Sequence, residues 1–209
     1  GVQWWSLHPI YRNRLANTFL FQQVGLSSVL EPQPRSEWAT FTQVVGRMPV
    51  PVVCAATHRR ANKVTGLKSI SFTFSPEGVS MFEPVLNDEN RVAVNTYRQP
   101  FSVSPAGQTT SAVGTRPDMP IITAAAISGA AFNSVMGRHS QGSTDTLLAL
   151  LNLRLGVWLP NPRYNLSGRL RPRAGLRYLF HEVIGHFDIT DPFVHVSDGG
   201  HWENLGLVE

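Results

Sequence analysis

Hydrophobic and polar residues alternate most clearly in residues 69–75, where Ile70, Phe72 and Phe74 stand between serines and a threonine. A period of two places successive side chains on opposite faces of a strand. The pattern therefore predicts a strand with one buried and one exposed face. The apolar run from Val50 to Ala56 lies among turn-forming residues and predicts a strand that is buried throughout.

A second pattern, in which apolar residues recur every three or four positions, predicts helices. Its clearest case is a stripe that we expect to face the core and to end at Gly185, formed by Leu176, Leu179, Phe180, Val183 and Ile184. Further helices are predicted after Ser6 and in the leucine-rich residues 143–156, which a serine or threonine would cap. The alanine-dense residues 121–131 predict a closely packed helix or a strand-to-helix turn.

Near the C-terminus, Phe193, Val194 and Val196 predict a short strand that runs directly into Asp198. Residues 87–120 are rich in Asn, Ser, Thr, Gly, Pro and Gln and predict a long loop, which in compact domains usually serves a function. The sequence contains no internal repeat and no linker that would divide it. We therefore expect strands and helices to alternate in one α/β unit that spans all 209 residues.

Composition narrows the class of protein. Of the 209 residues, 42% are hydrophobic and 15% charged, with 17 glycines and 15 prolines. These values indicate a globular, turn-rich chain with a substantial core, and they exclude disorder, a collagen repeat and a coiled coil. Cys54 is the single cysteine, so neither an intramolecular disulfide nor a cysteine-built zinc site can form.

The formal net charge of +4 favours an anionic partner only weakly. The densest basic group consists of Arg169, Arg171, Arg173 and Arg177. No aromatic platform alternates with this group, so we expect no nucleic-acid partner; it is either a solvated loop or a surface for phosphate or lipid headgroups. Two apolar stretches, residues 120–137 and 147–159, contain polar interruptions, and we expect them to be buried core rather than membrane spans.

Residues 181–186 read His-Glu-Val-Ile-Gly-His, which at first sight resembles a zinc-protease signature. That signature has two histidines four positions apart, whereas His181 and His186 are five apart, which is about 140° around a helix. We therefore expect their side chains to diverge, to bind no common metal ion and to lie on a polar helix face. A metal-dependent hydrolase that uses His181, Glu182, His186 or His201 is the alternative.

Asp198 is the carboxylate that stands out, because it ends an apolar strand and precedes Gly199 and Gly200. In α/β sheets, binding sites collect outside the carboxyl ends of the strands. Two glycines also allow the backbone to turn sharply and to approach a ligand closely. We expect the carboxylate to face a cleft; the alternative is an ordinary Asp-Gly turn.

The run of residues 196–204 reads Val-Ser-Asp-Gly-Gly-His-Trp-Glu-Asn. It resembles the Asp-Gly-Gly motif of patatin-like phospholipases, including the asparagine six residues after the aspartate. Two upstream segments, residues 51–57 and the small-residue segment 126–131, are similar to the same family in the same order. More narrowly, the chain resembles large bacterial patatin-related proteins that carry membrane segments elsewhere.

The resemblance implies a patatin-like three-layer α/β fold and a Ser-Asp dyad, in which the carboxylate itself takes the serine proton. Asp198 would be this general base, and Gly199, Gly200 and Asn204 would shape the site. The nucleophile of the family lies in a Gly-x-Ser-x-Gly elbow after a glycine-rich oxyanion loop, and this sequence contains neither. The segment most similar to such an elbow surrounds Ser128. We expect Ser128 to be a packing residue and not the nucleophile, with its hydroxyl bonded to local backbone.

The chain begins and ends as an internal fragment would, so we expect a part of a serine acyl hydrolase that works with the rest of its parent polypeptide. The resemblance implies a lipid or acyl-ester substrate, no cofactor, and a place at a membrane surface on the cytoplasmic side of a bacterial membrane. Two alternatives stay open. One is a catalytically silent binding or scaffold portion of the same fold, and the other is the metal-dependent hydrolase.

Overall fold

The computed structural model describes residues 7–23, 30–46, 49–60, 66, 68–86, 92–101, 118–130, 156–164 and 174–199. Within these ranges the chain forms three α-helices, namely α1 (His8–Phe19), α2 (Ile121–Ser128) and α3 (Leu176–Val183). Its eight strands are β1 (Phe21–Gln23), β2 (Leu30–Pro32), β3 (Val53–His58), β4 (Ser69–Ser75), β5 (Gly78–Leu86), β6 (Val92–Gln99), β7 (Val157–Pro160) and β8 (Phe193–Asp198). Single turns of 3-10 helix cover Arg35–Glu37 and Thr42–Val44.

Six strands form one sheet in the order β6-β5-β4-β3-β8-β7, and β1 pairs with β2 in a separate ribbon. Each of these strand pairs is antiparallel. Strands β3 to β6 follow one another as a meander, whereas β8 comes from far along the chain and pairs Asp198 with Ala55 of β3. The predicted mixture of helices and strands is confirmed, as a six-stranded antiparallel sheet with three helices in the described part of the chain.

Strand β4 lies inside the sheet and is buried on both faces. Ile70, Phe72 and Phe74 are completely covered, as the alternation predicts. Ser71 and Thr73 are also buried, with 2% and 6% of their surfaces exposed, so the predicted exposed face was wrong. Small hydroxyl side chains can be buried where they hydrogen-bond, and their presence in a strand therefore does not by itself predict exposure.

Strand β3 begins later than the apolar run predicts. Val50 and Val52 leave 51% and 52% of their surfaces exposed, and the strand covers Val53–His58. Proline has no N–H to donate to a neighbouring strand, so the ladder starts after Pro51. The part of the strand from Ala55 onward is buried, as predicted.

The predicted loop at residues 87–120 contains a strand. β6 pairs with β5 along eight residue pairs and forms one edge of the sheet. Asn95, Thr96 and Arg98 are exposed on this edge strand, so it does not need the apolar pattern by which buried strands are recognised. Residues 102–117 of the predicted loop lie outside the described ranges.

Helix α2 packs against β3 and β8, and α1 lies on α2. Ala124 and Ile127 of α2 are buried in the main core together with the aromatic side chains of β4. Tyr11 of α1 donates from its hydroxyl to the Gly129 carbonyl at 3.4 Å, just beyond the end of α2. Both helices lie where they were predicted, while the leucine-rich helix lies outside the described residues. No helix among the described residues has the length and apolar character that crossing a membrane requires.

Helix α3 is confirmed, but its buried face is not the predicted one. Leu176 and Phe180 leave 79% and 64% of their surfaces exposed. Tyr178 and Glu182, one turn apart, are buried instead, with 1% and 3% exposed. The reason is Trp158, which contacts both side chains. The ring of Trp158 lies 4.8 Å from that of Tyr178, and its Nε1 donates to the Glu182 carboxylate at 3.2 Å.

An ionic cluster connects strands from the two halves of the sheet. Glu83 of β5 is buried, with 7% of its surface exposed, and its carboxylate lies 3.3 Å from Arg59 Nη1. Arg163, which follows β7, approaches the same carboxylate to 3.9 Å and donates to Tyr97 Oη of β6 at 2.8 Å. The segment after β7 therefore packs against β5 and β6, although β7 is the opposite edge of the sheet.

The buried face of α3 can be tested directly. Tyr178→Ala should lower the free energy of unfolding by ~3 kcal/mol or more, because it empties a site against Trp158 and Phe193. Phe180→Ala on the same helix is the matched control and should change the free energy by less than ~0.5 kcal/mol. Urea denaturation measures both variants, and a larger loss for Phe180→Ala would show that the apolar stripe is the buried face.

Candidate functional site

Asp198 is the last residue of β8 and is half-buried. Its predicted position at the end of a strand is confirmed. The expectation that the carboxyl ends of the strands collect at one edge of the sheet does not apply. Carboxyl ends of strands share one edge only in a parallel sheet; β8 is antiparallel to β3, so Asp198 lies beside Ala55 in the first half of β3. Side chains alternate along β8, which places Asp198 on the same face as Val194 and Val196, the face that α2 covers.

Gly199 brings the backbone after Asp198 into close contact with β3. A side chain at this position would put its Cβ 2.8 Å from the carbonyl oxygen of Cys54 and 3.2 Å from its carbonyl carbon. These are backbone atoms that cannot move aside, so glycine fits here and larger residues do not. Gly200 and Asn204, which we also expect to shape the site, lie outside the described residues.

Ser128 ends α2 at the same place. Its hydroxyl donates a hydrogen bond to the Cys54 carbonyl at 2.5 Å. The partner is backbone, as expected, but it is not local, because it lies 74 positions away in the sequence. The same carbonyl contacts Gly199. Since Ala55, the next residue, pairs with Asp198, the structure brings Ser128 and Asp198 to one end of the β3–β8 pair.

A cavity of 370 Å³ lies between α1, α2 and β7. Its volume falls within the range of small-molecule sites, about 300–1,000 Å³. The side formed by the sheet and α2 is mostly apolar, with Met119, Ile127, Val157 and Leu159 beside Thr123, and the other side carries Arg12 and Arg35. Asp198 is not among the lining residues, whereas Ile127 directly precedes Ser128. The cavity therefore adjoins the end of α2.

Arg12 and Arg35 give this cavity a positive charge. Both guanidinium groups lie over the ring of Trp38, at 5.5 and 5.9 Å from its centroid. Burial lowers the pKa of the Arg12 guanidinium, and the positive charge of Arg35 lowers it further. No carboxylate in the described part of the chain forms an ion pair with either arginine. An anion in the cavity would therefore meet two cations.

Sequence reasoning missed a buried polar network on the opposite face of the sheet. His58 Nε2 and Ser197 Oγ lie 2.7 Å apart, and His195 Nε2 lies 3.8 Å from Glu182 Oε1. These four residues are at most 3% exposed, so a substrate cannot reach the serine-histidine pair, and we interpret the network as structural. One signal was present in the sequence, because His195 and Ser197 are two positions apart and share a face of β8.

The predicted divergence of His181 and His186 was wrong. Gly185, with a φ of +68°, ends α3 between them, as predicted for this glycine. The angle of about 140° holds only within a continuous helix. The chain folds back after Gly185, and the two imidazole rings lie 4.9 Å apart. Glu182 is buried in the core, and His201 lies outside the described residues.

The candidate site thus consists of a carboxylate at a strand end, a hydroxyl at a helix end and a positively charged cavity beside the same helix. No family model matches the chain, and no curated protein or solved structure matches it either. Function is therefore inferred from the residues and their geometry.

Gly199→Ala tests the close contact at Cys54. The added methyl group would collide with the Cys54 carbonyl, so we expect the free energy of unfolding to fall by ~1–3 kcal/mol. Gly175→Ala is the control, since a Cβ at that position meets no atom within 4 Å. It should cost less than ~1 kcal/mol, mainly through its position at the start of α3. Urea unfolding compares the two, and equal losses would contradict the steric explanation.

Proposed function

We propose that the chain is part of a serine acyl hydrolase that cleaves lipid or other acyl esters, with a patatin-like three-layer fold and with Asp198 as the general base. The observation that carries the proposal is the position of this residue. It is a half-buried carboxylate at a strand end, and the adjoining Gly199 contact leaves no room for a side chain. A Ser-Asp dyad needs a fixed carboxylate, because the base must stay within hydrogen-bond reach of the serine.

In the proposed reaction, the Asp198 carboxylate takes the proton of the nucleophilic serine while the serine oxygen attacks the ester carbonyl. The tetrahedral intermediate collapses to an acyl-enzyme, and the proton passes to the leaving alcohol. Water then attacks the acyl group with Asp198 again as base, which releases the acid and restores the serine. All atoms and protons of the cycle are accounted for without a cofactor, as the resemblance implies.

Ser128 is proposed as a packing residue, with the nucleophile supplied by the remainder of the parent polypeptide. Its hydroxyl already donates to the Cys54 carbonyl, and this bond would have to break before attack. Alanines at positions 126 and 130 occupy the places of the outer glycines of a nucleophile elbow. The surroundings of Ser128 therefore favour a role in holding α2 against β3.

The cavity supports a lipid as the substrate. Its apolar side suits a hydrocarbon chain, and its two guanidinium groups suit a carboxylate or a phosphate. Burial and the positive charge of Arg35 both lower the pKa of Arg12, and an anion bound between the two arginines would offset these effects. Because Ile127 lines the cavity and Ser128 follows it, a bound amphiphile would lie beside the end of α2 that carries the site.

A membrane surface is the proposed partner, on the cytoplasmic side of a bacterial membrane. Leu176, Phe180 and Ile184 are exposed on one side of α3, and Arg177 is exposed on the same helix. An exposed apolar stripe beside a basic residue suits the interface of an anionic bilayer. This helix would bring the chain to its lipid substrate without spanning the bilayer.

A catalytically silent binding or scaffold portion of the same fold is the second candidate. The bonded hydroxyl of Ser128 favours it, and so does the cavity, which would bind the same amphiphile without cleaving it. The metal-dependent hydrolase is not favoured. Glu182 would be its general base, and this side chain is 3% exposed and bonded to Trp158.

Asp198→Asn tests the general base. In the full-length parent we expect hydrolysis of a chromogenic acyl ester to fall by ~10²-fold or more, since general-base assistance contributes ~10²–10⁴-fold. Glu77→Gln, which neutralises a carboxylate with 83% side-chain exposure, is the control and should leave turnover unchanged. Unchanged turnover in Asp198→Asn would favour the silent alternative.

Labelling with a fluorophosphonate in the same parent identifies the nucleophile independently. Ser128→Ala should keep both labelling and hydrolysis, because the lost hydrogen bond affects packing. Loss of labelling in Ser128→Ala alone would make Ser128 the nucleophile.

Arg12→Gln tests the cavity. We expect its affinity for a fatty-acid anion to fall by ~10-fold, because one of two charge-assisted contacts is lost. The methyl ester of the same acid carries no charge and should bind the altered and unaltered chains alike. Arg98→Gln is the matched control, an exposed arginine on β6 at the edge of the sheet opposite to β7. Calorimetry measures these affinities, and undiminished binding of the anion by Arg12→Gln would exclude Arg12 as its site.

A further inference from the structure

Three potential metal ligands, His181, His186 and Asp191, come together at the end of α3. One ligand atom from each side chain lies within 4.8 Å of the other two. His181 Nδ1 is 3.6 Å from Asp191 Oδ2. The cluster is separate from the Asp198 site, and nothing in it depends on the proposed hydrolase function.

The backbone holds the two histidines together. Gly185 donates from its N–H to the Glu182 carbonyl at 3.1 Å, and His186 donates from its N–H to the His181 carbonyl at 2.7 Å. These two bonds form a Schellman motif, which reverses the chain at the end of a helix. The motif brings His186 back over His181, so their proximity does not depend on rotamers alone.

Asp191 is held by a second set of contacts. Asn161 donates from Nδ2 to the carbonyls of Ile189 and Asp191, each at 2.7 Å. Tyr164 donates from its hydroxyl to the Thr190 carbonyl at 2.6 Å. The turn that carries Asp191 is thus fixed to the segment after β7, and both halves of the cluster are preorganised as a binding site requires.

Two atoms of the cluster lack the partner that their chemistry needs. His181 Nδ1 and Asp191 Oδ2 are inaccessible to solvent, and neither has a hydrogen-bond partner among the described residues. Their separation of 3.6 Å is too long for a good hydrogen bond. It is close to the ~3.4 Å expected between two ligand atoms of a tetrahedral zinc ion, whose bonds are ~2.0–2.2 Å long. A cation between the two atoms would satisfy both.

We propose that His181, His186 and Asp191 bind a zinc ion. Two imidazole nitrogens and one carboxylate oxygen are a ligand set that zinc accepts in sites with an open fourth position. The exposed ring of His186 can rotate to shorten the longest ligand distance, and its exposure leaves room for water as the fourth ligand. The carbonyl end of α3 adds a partial negative charge that favours a cation.

Zinc binding by the tag-free chain tests the site. We expect one zinc ion per chain in competition with a chromophoric chelator of micromolar affinity, and the visible spectrum of four-coordinate Co²⁺ when cobalt replaces zinc. Asp191→Asn and His186→Ala should each weaken zinc binding by more than ~10-fold, since loss of even an outer partner of a metal ligand costs ~10–100-fold.

Asp188→Asn is the matched control. Asp188 lies on the same turn, and its Oδ1 accepts hydrogen bonds from Thr190, a role that asparagine keeps. Its zinc affinity should equal that of the unaltered chain. If Asp191→Asn does not fold, the zinc affinity of His186→Ala still tests the proposal, because the His186 ring is exposed. A chain that retains no zinc, binding that neither variant weakens, or an equal loss in Asp188→Asn would overturn the proposal.

Discussion

The antiparallel pairing of β8 with β3 determines where the candidate active site lies. It closes a long loop in the chain, because His58 and Ser197, whose side chains meet across the pair, are 139 positions apart. The entropy cost of closing a flexible loop grows only slowly with its length, so a short strand pair with buried contacts can hold such distant segments together. Without this pairing, Asp198 would have no fixed position, and the Cys54 carbonyl would not meet Gly199.

The two faces of the pair are built from side chains of very different size. On the face toward α2, alanine at positions 55 and 124 lets the helix approach closely enough for the Ser128 hydroxyl to reach a backbone carbonyl. On the face toward α3, the large rings of Trp158 and Tyr178 fill the space, and the indole N–H of Trp158 donates to the Glu182 carboxylate of the buried network. The proposed hydrolase site lies on the face with small side chains, and the proposed zinc site lies at the edge of the face with large aromatic rings.

Local patterns predicted β3, β4, β8 and the three described helices, but they did not predict β5 or β6, and they predicted the surroundings of the elements poorly. The strand with the clearest alternation and the helix stop at Gly185 are confirmed, because periodicity and backbone preference are properties of neighbouring residues. The buried face of α3 depends instead on Trp158, whose indole N–H takes Glu182 as its acceptor from a distant segment. The partner of Ser128 is more remote still, at 74 positions away in the sequence. The error about the two histidines had a different origin, since it assumed a continuous helix across the glycine at which the same sequence predicts its end.

Glu83 has a further consequence for how accurately the sheet is assembled. A shift of β5 by one residue along its neighbours would turn all its side chains to the opposite face. Glu83 would then leave Arg59 and Arg163 and become an uncompensated charge, which is far more costly than a lost apolar contact. Tyr97 of β6 donates a hydrogen bond to the same carboxylate at 3.3 Å, so a shifted β6 would lose this bond as well. Glu83 therefore contributes to the correct alignment of both strands of the β5–β6 hairpin.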